Sequence, residues 1–400
     1  MGQRARLVSE GVAAALALLL LSGRWRLDRV FDTDEELGIW TEPRLWLVGA
    51  CVVLALLPLQ RSTRGRQALV HGILALGTCS LFLLYMMASA LWSPELAAAA
   101  PKLYEVALLL VTSLCAYRIA SLTGRSRLVA ALLRWMLWGC GALVLAALVL
   151  GGDGRTAVFG GGPNIFGRNA GIFLVLCLAR ALESRRPAPW ITGALVAAVM
   201  VLLSGSRGAL LATSLGALAL LWYVRPRPRL GRLGYLALIA ALFGVWILGF
   251  TEAGDRAVYM FQERVMRLLV VERYDAGRTD LYLLAYDLGM AHPLVGVGLA
   301  GFSFLGLGVY PHNLELEVFA EGGLIGLVLL TLALAPACVK LATRAGRLPI
   351  AAPAVFVLLL FASQFSGDLY DARGALLLAL LLALPGVSDQ PGDALAASSR

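Results

Sequence analysis

Residues 277–326 read GRTDLYLLAYDLGMAHPLVGVGLAGFSFLGLGVYPHNLELEVFAEGGLIG, a stretch that interrupts an otherwise membrane-like chain. Its polar residues include Arg278 near the start and the sequence Pro-His-Asn at 311–313. Three glycines within residues 296–301 break the helical pattern between them, because glycine disfavours helix interiors. A long apolar segment follows directly. This pattern is typical of a ligand-binding mouth at a membrane surface.

Composition indicates an integral membrane protein. The 400 residues are 60% hydrophobic and only 15% charged, with a mean hydropathy of +0.80, which is more apolar than a soluble domain needs to be. The net charge of +9 lies mostly in short arginine-rich loops, so it does not indicate nucleic-acid binding. The cysteines lack metal-ligand spacing, and the sequence has no Walker loop, GxSxG motif or Cys/His cluster. We therefore expect no metal and no cofactor.

Apolar segments recur along the chain and predict an all-α polytopic membrane protein with about twelve transmembrane helices. An uncleaved first helix is expected, because the residues after it make a poor signal-peptide cleavage site. The predicted helices lie at 7–23, 43–59, 68–91, 104–122, 129–150, 169–183, 190–204, 208–223, 234–250, 314–338, 350–366 and 374–387.

The charges of the loops predict which loops share a side of the membrane. Every second loop along the chain is basic, at 61–66, 118–127, 180–186, 225–232 and 340–347. Under the positive-inside rule the pattern places both termini in the cytoplasm. The loop 24–42 is an exception to this alternation, because it also carries three arginines.

The longest loop, 251–313, then lies on the outer side. Apolar and basic residues alternate at helical spacing over 256–270, which predicts an amphipathic helix on the membrane surface. A second helix is predicted at 278–291. The predicted organisation is helices one to nine in 1–250, the loop domain in 251–313, helices ten to twelve in 314–387 and a cytoplasmic tail in 388–400.

Two arginines lie at sharp breaks between apolar segments. Arg207 follows Ser204-Gly205-Ser206 at the start of a predicted helix, where free backbone N–H groups and the helix dipole favour a phosphate. The alternative is an arginine that snorkels to the surface. Arg168 follows a glycine-rich turn at 160–164 and is a candidate for a further phosphate ligand. Taken alone, Arg278 is an ordinary solvated loop arginine.

Five elements within residues 277–326 form an ordered set. Arg278 is followed by Tyr282, by His-Pro-Leu-Val-Gly-Val-Gly at 292–298, by His312-Asn313 and by Glu-Gly-Gly-Leu-Ile-Gly at 321–326. This set resembles the signature of the bacterial O-antigen ligase and polymerase superfamily. Tyr282 stands where that family commonly has tryptophan.

The resemblance implies a fold and a reaction. The fold is that of a GT-C-like glycosyltransferase in the bacterial inner membrane, with its active site facing the periplasm. The reaction transfers a glycan from undecaprenyl pyrophosphate to the lipid A-core oligosaccharide without metal or ATP, and inverts the anomeric centre. His312 would be the base, with Arg278 and Arg207 on the leaving diphosphate. The implied substrate-binding residues are Arg168, Tyr282, Asn313 and Glu321.

Other interpretations of the same residues remain. A polymerase that extends the repeat-unit chain on the polyprenyl carrier shares the motif. A transporter of the polyprenyl-linked glycan would place ionisable groups within its helices, where this sequence offers few, such as His71 and Arg134. Asp32-Thr33-Asp34 matches a metal-binding DxD pattern but is too short to be specific. His292, before a proline, is expected to end a helix.

Overall fold

In the computed structural model, the secondary-structure elements of the described residues are all helices. Its helices are α1 (Gln3–Leu21), α2 (Pro43–Leu56), α3 (Thr63–Ala88), α4 (Leu96–Thr123), α5 (Arg125–Leu150), α6 (Gly162–Glu183), α7 (Ala188–Leu203), α8 (Arg207–Val224), α9 (Glu252–Phe261), α10 (Arg278–Ala291), α11 (Gly301–Leu305), α12 (Leu314–Thr343), α13 (Ala351–Ala362) and α14 (Arg373–Ala383). The described residues are 3–23, 42–58, 63–150, 155–158, 162–224, 251–263, 266–267, 278–305, 310–343 and 348–385.

Every predicted transmembrane segment that lies within the described residues overlaps one of these helices. Within those residues, six helices are long and apolar enough to cross a membrane: Gly72–Trp92, Leu96–Thr123, Arg125–Leu150, Gly162–Glu183, Arg207–Val224 and Leu314–Thr343. Outside the described residues lie the predicted helix 234–250, the tail 388–400, the Asp32-Thr33-Asp34 motif, the end of the amphipathic segment at 268–270 and the side chain of His71.

Several predicted helix limits differ from the observed ones, and three of these differences change the place of polar residues that matter below. The helix predicted at 104–122 begins at Leu96, so Lys102 lies within a helix and not in a loop. The helix predicted at 169–183 begins at Gly162, which places Arg168 in α6 and not in a turn. The helix predicted to run to 366 ends at Ala362. Charged residues in the first two turns of a helix resemble loop residues in sequence, because they interrupt the apolar pattern from which a helix is predicted.

One end of the bundle closes around the C-terminus of α14. Lys340 donates to the carbonyl oxygens of Ala383 and Leu384 at 2.9 and 2.8 Å. Arg125 donates to the carbonyl of Leu382 at 3.2 Å. The last carbonyls of a helix have no partners within it, and cations stabilise that end. Two loops that the charge pattern assigned to one side therefore meet at one end of the bundle.

The loops assigned to the other side also meet. Arg155 donates to the carbonyl of Ser204 at 3.0 Å, and Arg373 donates to the carbonyl of Gly23 at 3.3 Å. We call the end of the bundle where Gly23, Ser204 and Arg373 lie the loop end. The alternation of loops predicted from charge is thus found in the contacts.

Helix α12 was predicted as continuous, but its backbone breaks at Gly323, which has φ of 61° and ψ of −161°. Leu324 and Ile325 cannot reach their helical carbonyl partners across the break. Their N–H groups donate instead to the carbonyls of Pro293 and Leu294, at 2.8 and 3.1 Å. The segment that follows α10 therefore inserts into the break.

The same segment also serves the carbonyls that the break leaves free. Val297 donates to the carbonyl of Ala320 at 2.8 Å, and Gly298 donates to that of Glu321 at 3.0 Å. The segment 293–298 thus replaces the missing helical hydrogen bonds from both sides. This matters because unpaired backbone groups are costly in an apolar bundle. We call the part of α12 before the break, residues 314–322, the upper segment.

Glycine is required where the two backbones meet. A Cβ at Gly296 would lie 2.4 Å from the carbonyl carbon of Glu321, and Gly296 has φ of 68°. Gly296→Ala should therefore reduce stability by about 2 kcal/mol or more, from left-handed strain and overpacking. The measurement is thermal unfolding in detergent. Gly77→Ala in α3 is the matched control, because nothing lies within 4 Å of its added Cβ. Equal melting of both variants would contradict this packing.

Candidate functional site

The connection between α13 and α14, residues 363–372, is the centre of the loop end, and we call it the hub turn. Asn313 donates from its side-chain amide to Gln364 Oε1 at 3.2 Å. The Gln364 amide donates in turn to Glu315 Oε1 at 3.0 Å. The hydroxyl of Tyr282 donates to the Gln364 carbonyl at 3.5 Å. Gln364 thus ties α10 and α12 to the hub turn.

The residues before α12 form a constrained entry to the helix. Asn313 caps α12, because its side-chain oxygen accepts a hydrogen bond from the N–H of Leu316 at 2.9 Å. His312 has φ of 59°, a left-handed conformation that costs a non-glycine residue about 1–2 kcal/mol. Such strain persists only where surrounding contacts impose it, and it is common at functional sites. The cap and the hub turn supply those contacts.

His312 lies half-buried among charges of both signs. Burial lowers the pKa of His312 below its ordinary value, and the charge of Arg278 lowers it further, whereas Asp371 and Asp368 raise it. The ring of Tyr310 meets the imidazole edge-on, with centroids 4.5 Å apart. Within the described part of the chain, Nδ1 of His312 is buried without a hydrogen-bond partner. The lowered pKa favours the neutral imidazole, which is the form that can accept a proton.

Arg168 is buried in α6, with 7% of its surface exposed. It donates to the carbonyl of Asp371 at 3.4 Å. The carboxylate of Asp371 pairs with Arg373 at 3.2 Å. Asp371 therefore lies between two arginines, and its charge also acts on His312. Arg168 is therefore linked to His312 through Asp371 of the hub turn.

Arg207 is the first residue of α8 and is half-buried. Ser206 caps this helix by accepting a hydrogen bond from the N–H of Ala209 at 3.3 Å. A Cβ on Gly208 would lie 2.6 Å from Cβ of Phe365, so the start of α8 presses against the hub turn. The helix N-terminus is thereby directed toward the same end of the bundle as His312.

The structure brings most of the predicted site residues around one turn. Contacts with the hub turn or charge interaction with His312 unite His312, Asn313, Tyr282, Arg278, Arg168 and the helix start that carries Arg207. Glu321 differs, because its side chain is 0% exposed and bonds to Lys102 at 2.6 Å. We therefore propose no substrate contact for Glu321.

Four residues of this region were not predicted from the sequence: Lys102, Gln364, Asp368 and Asp371. The signal for three of them was present, since Ser-Gln-Phe-Ser-Gly-Asp-Leu-Tyr-Asp at 363–371 interrupts an apolar stretch. The buried Lys102 also corrects the expectation that the helices hold few ionisable groups. It pairs with Glu317 and Glu321 of α12.

Comparison with known families gives one result. Residues 192–331 match the family model described as O-antigen ligase. The match runs from α7 into α12 and includes Arg207, Arg278 and His312. A search of curated proteins found no match to the chain.

The charges around His312 make a prediction about its titration. Arg278→Gln removes a positive charge that disfavours the imidazolium, so the pKa of His312 should rise. Asp371→Asn removes a negative charge that favours the imidazolium, so the pKa should fall. The measurement is the pH dependence of diethylpyrocarbonate modification of His312, followed by peptide mass spectrometry, because only the neutral ring reacts.

Arg180→Gln is the control for these variants. Arg180 lies in the last turn of α6, and its side chain is 54% exposed in an ion pair with Glu183. The twelve residues that separate it from Arg168 correspond to about 18 Å along a helix. The titration midpoint of His312 should be unchanged in this variant. Shifts of the same sign in Arg278→Gln and Asp371→Asn would contradict the charge arrangement.

Proposed function

We propose that the chain is an O-antigen ligase, and the match of residues 192–331 to the family model described as O-antigen ligase supports this proposal. The proposed reaction transfers a glycan from undecaprenyl pyrophosphate to the lipid A-core oligosaccharide at the periplasmic face of the bacterial inner membrane. The match supports a ligase or polymerase activity in general. The observation that carries the proposal is the half-buried His312, whose Nδ1 has no hydrogen-bond partner within the described residues and whose imidazole lies within electrostatic reach of Arg278.

In the proposed mechanism His312 is the general base. It accepts the proton of the acceptor hydroxyl as the hydroxyl oxygen attacks the anomeric carbon of the donor. The bond between that carbon and the phosphate oxygen breaks, and the electron pair leaves with the diphosphate. Attack from the side opposite the leaving group inverts the anomeric centre. The donor is already activated, so the step consumes no ATP.

The arginines are proposed to hold the leaving diphosphate. Arginine suits a diphosphate because its planar group donates two parallel hydrogen bonds. Arg278 and the N-terminus of α8 with Arg207 would stabilise the developing charge. Arg168 is deeper and contacts Asp371, so we propose that it supports the site from beneath. Tyr282 and Asn313 both donate hydrogen bonds to Gln364. We propose that they form the wall of the site on the side that binds the sugar.

The arrangement also couples donor binding to basicity. The charge of Arg278 lowers the pKa of His312 in the free protein. A bound diphosphate would compensate that charge and raise the pKa of His312. His312 would then be a stronger base when the donor is in place.

Loss of either central group should abolish transfer. His312→Ala removes the base, worth about 10²–10⁴-fold in rate, and Arg278→Ala removes a contact worth roughly 3–4 kcal/mol in the transition state. The assay uses purified protein in detergent with a defined polyprenyl-diphosphate donor and a core acceptor. Arg180→Ala, on an exposed face, should retain wild-type rates. Wild-type rates in both site variants would exclude the mechanism.

The polymerase of the same superfamily is the second candidate, and a deletion strain separates the two. Loss of a ligase should leave bare lipid A-core and full-length polymer on the carrier. Loss of a polymerase should leave core that carries a single repeat unit. Electrophoresis of lipopolysaccharide distinguishes these products. The detergent assay also tests a transporter, since a transporter has no membrane to cross there and makes no product.

A further inference from the structure

A buried ion cluster joins α4 to the upper segment of α12. Lys102 is 9% exposed, and its ammonium bonds to Glu321 Oε2 at 2.6 Å and also to Glu317 Oε1. Glu317 and Glu321 are 1% and 0% exposed. Asp368 of the hub turn lies within electrostatic reach of Lys102 and of His312. The cluster therefore lies between α4 and the elements that carry the candidate site.

The upper segment depends on such contacts for its orientation. The break at Gly323 ends the helical hydrogen bonds that would couple it to the rest of α12. Glu317 and Glu321 are four residues apart and project from one face. One ammonium that holds both carboxylates directs that face toward α4. It thereby limits rotation of the segment about its own axis.

This rotation determines the position of the residues that precede the segment. The N–H of Glu317 donates to the carbonyl of Asn313 at 3.0 Å, and Leu314 donates to the carbonyl of Ser363 at 3.2 Å. Asn313 and His312 are therefore connected to the anchored face by about one helical turn. Rotation of the upper segment about its axis would move the imidazole of His312 relative to Arg278 and the hub turn.

Stability alone does not account for the cluster. Burial of three charges carries a large desolvation cost, and neutral groups of similar shape often stabilise a protein as well or better. Buried ions can instead specify one arrangement among several. We propose that Lys102 is a positioning residue: by holding Glu317 and Glu321 it sets the rotation of the upper segment and so places His312. The kinetic part of this inference rests on the proposed function.

The test uses a variant in which the cluster is neutral. Lys102→Met alone leaves two buried carboxylates without a cation and is expected to misfold. The variant K102M/E317Q/E321Q removes all three charges together. Gel filtration and thermal unfolding establish that it is folded. The control is E10Q/R134M, which removes an ion pair between α1 and α5.

The first readout is independent of catalysis. The rate at which diethylpyrocarbonate modifies His312 should differ several-fold between the neutral variant and the wild type. The single variant Lys102→Arg keeps a cation at this position and should react at the wild-type rate. The control should react at the wild-type rate. A folded neutral variant with unchanged His312 reactivity would overturn the proposal.

The second readout is the transfer reaction. The neutral variant should lose about 10- to 100-fold in kcat, the typical effect of a displaced catalytic group, while KM for the donor stays near the wild-type value. An unchanged kcat in the folded variant would also overturn the proposal. Absence of transfer by the wild type would refute the proposed function instead, and the reactivity of His312 would still decide whether Lys102 positions it.

Discussion

The break in α12 depends on hydrogen bonds between two stretches of backbone. A transmembrane helix can be interrupted only if its freed N–H and carbonyl groups find other partners. Residues 293–298 provide those partners on both sides of Gly323. The approach is so close that a side chain on Gly296 or Gly323 would meet backbone atoms within 2.4 Å. Packing therefore explains the glycines of the motif. They permit the break in α12, and the break allows the upper segment to take its own orientation, with His312 and Asn313 directly before it.

The hub turn converts this packing into a site. It receives Asn313 and Tyr282 through Gln364, Arg168 through Asp371, and the start of α8 through Phe365. Charges of both signs around the turn act on His312: burial and Arg278 lower its pKa, and Asp371 and Asp368 oppose this shift. Small changes of charge, such as a bound diphosphate, can therefore move its titration.

Several features of this arrangement were predictable from residue patterns, and others were not. The helix that begins at Arg278 and ends before His292 was predicted with its observed limits. The residues at 292–298 and 321–326 were recognised as one pattern, but nothing local shows that the two parts bond to each other. Lys102 was taken for a loop residue and Arg168 for a turn residue, because helix ends that carry charge lack a clear hydropathy signal.

By itself the sequence determined the helical, membrane-spanning class of the protein, the approximate position of its helices and the grouping of its loops, because these follow from local hydropathy and charge. The tertiary structure alone decided that Lys102 meets Glu317, that Arg168 meets Asp371 and that the residues after α10 fill the break in α12. These partners are joined by hydrogen bonds and ion pairs across different helices. Such pairings depend on how whole helices pack, and the periodicity of a single segment carries no record of them.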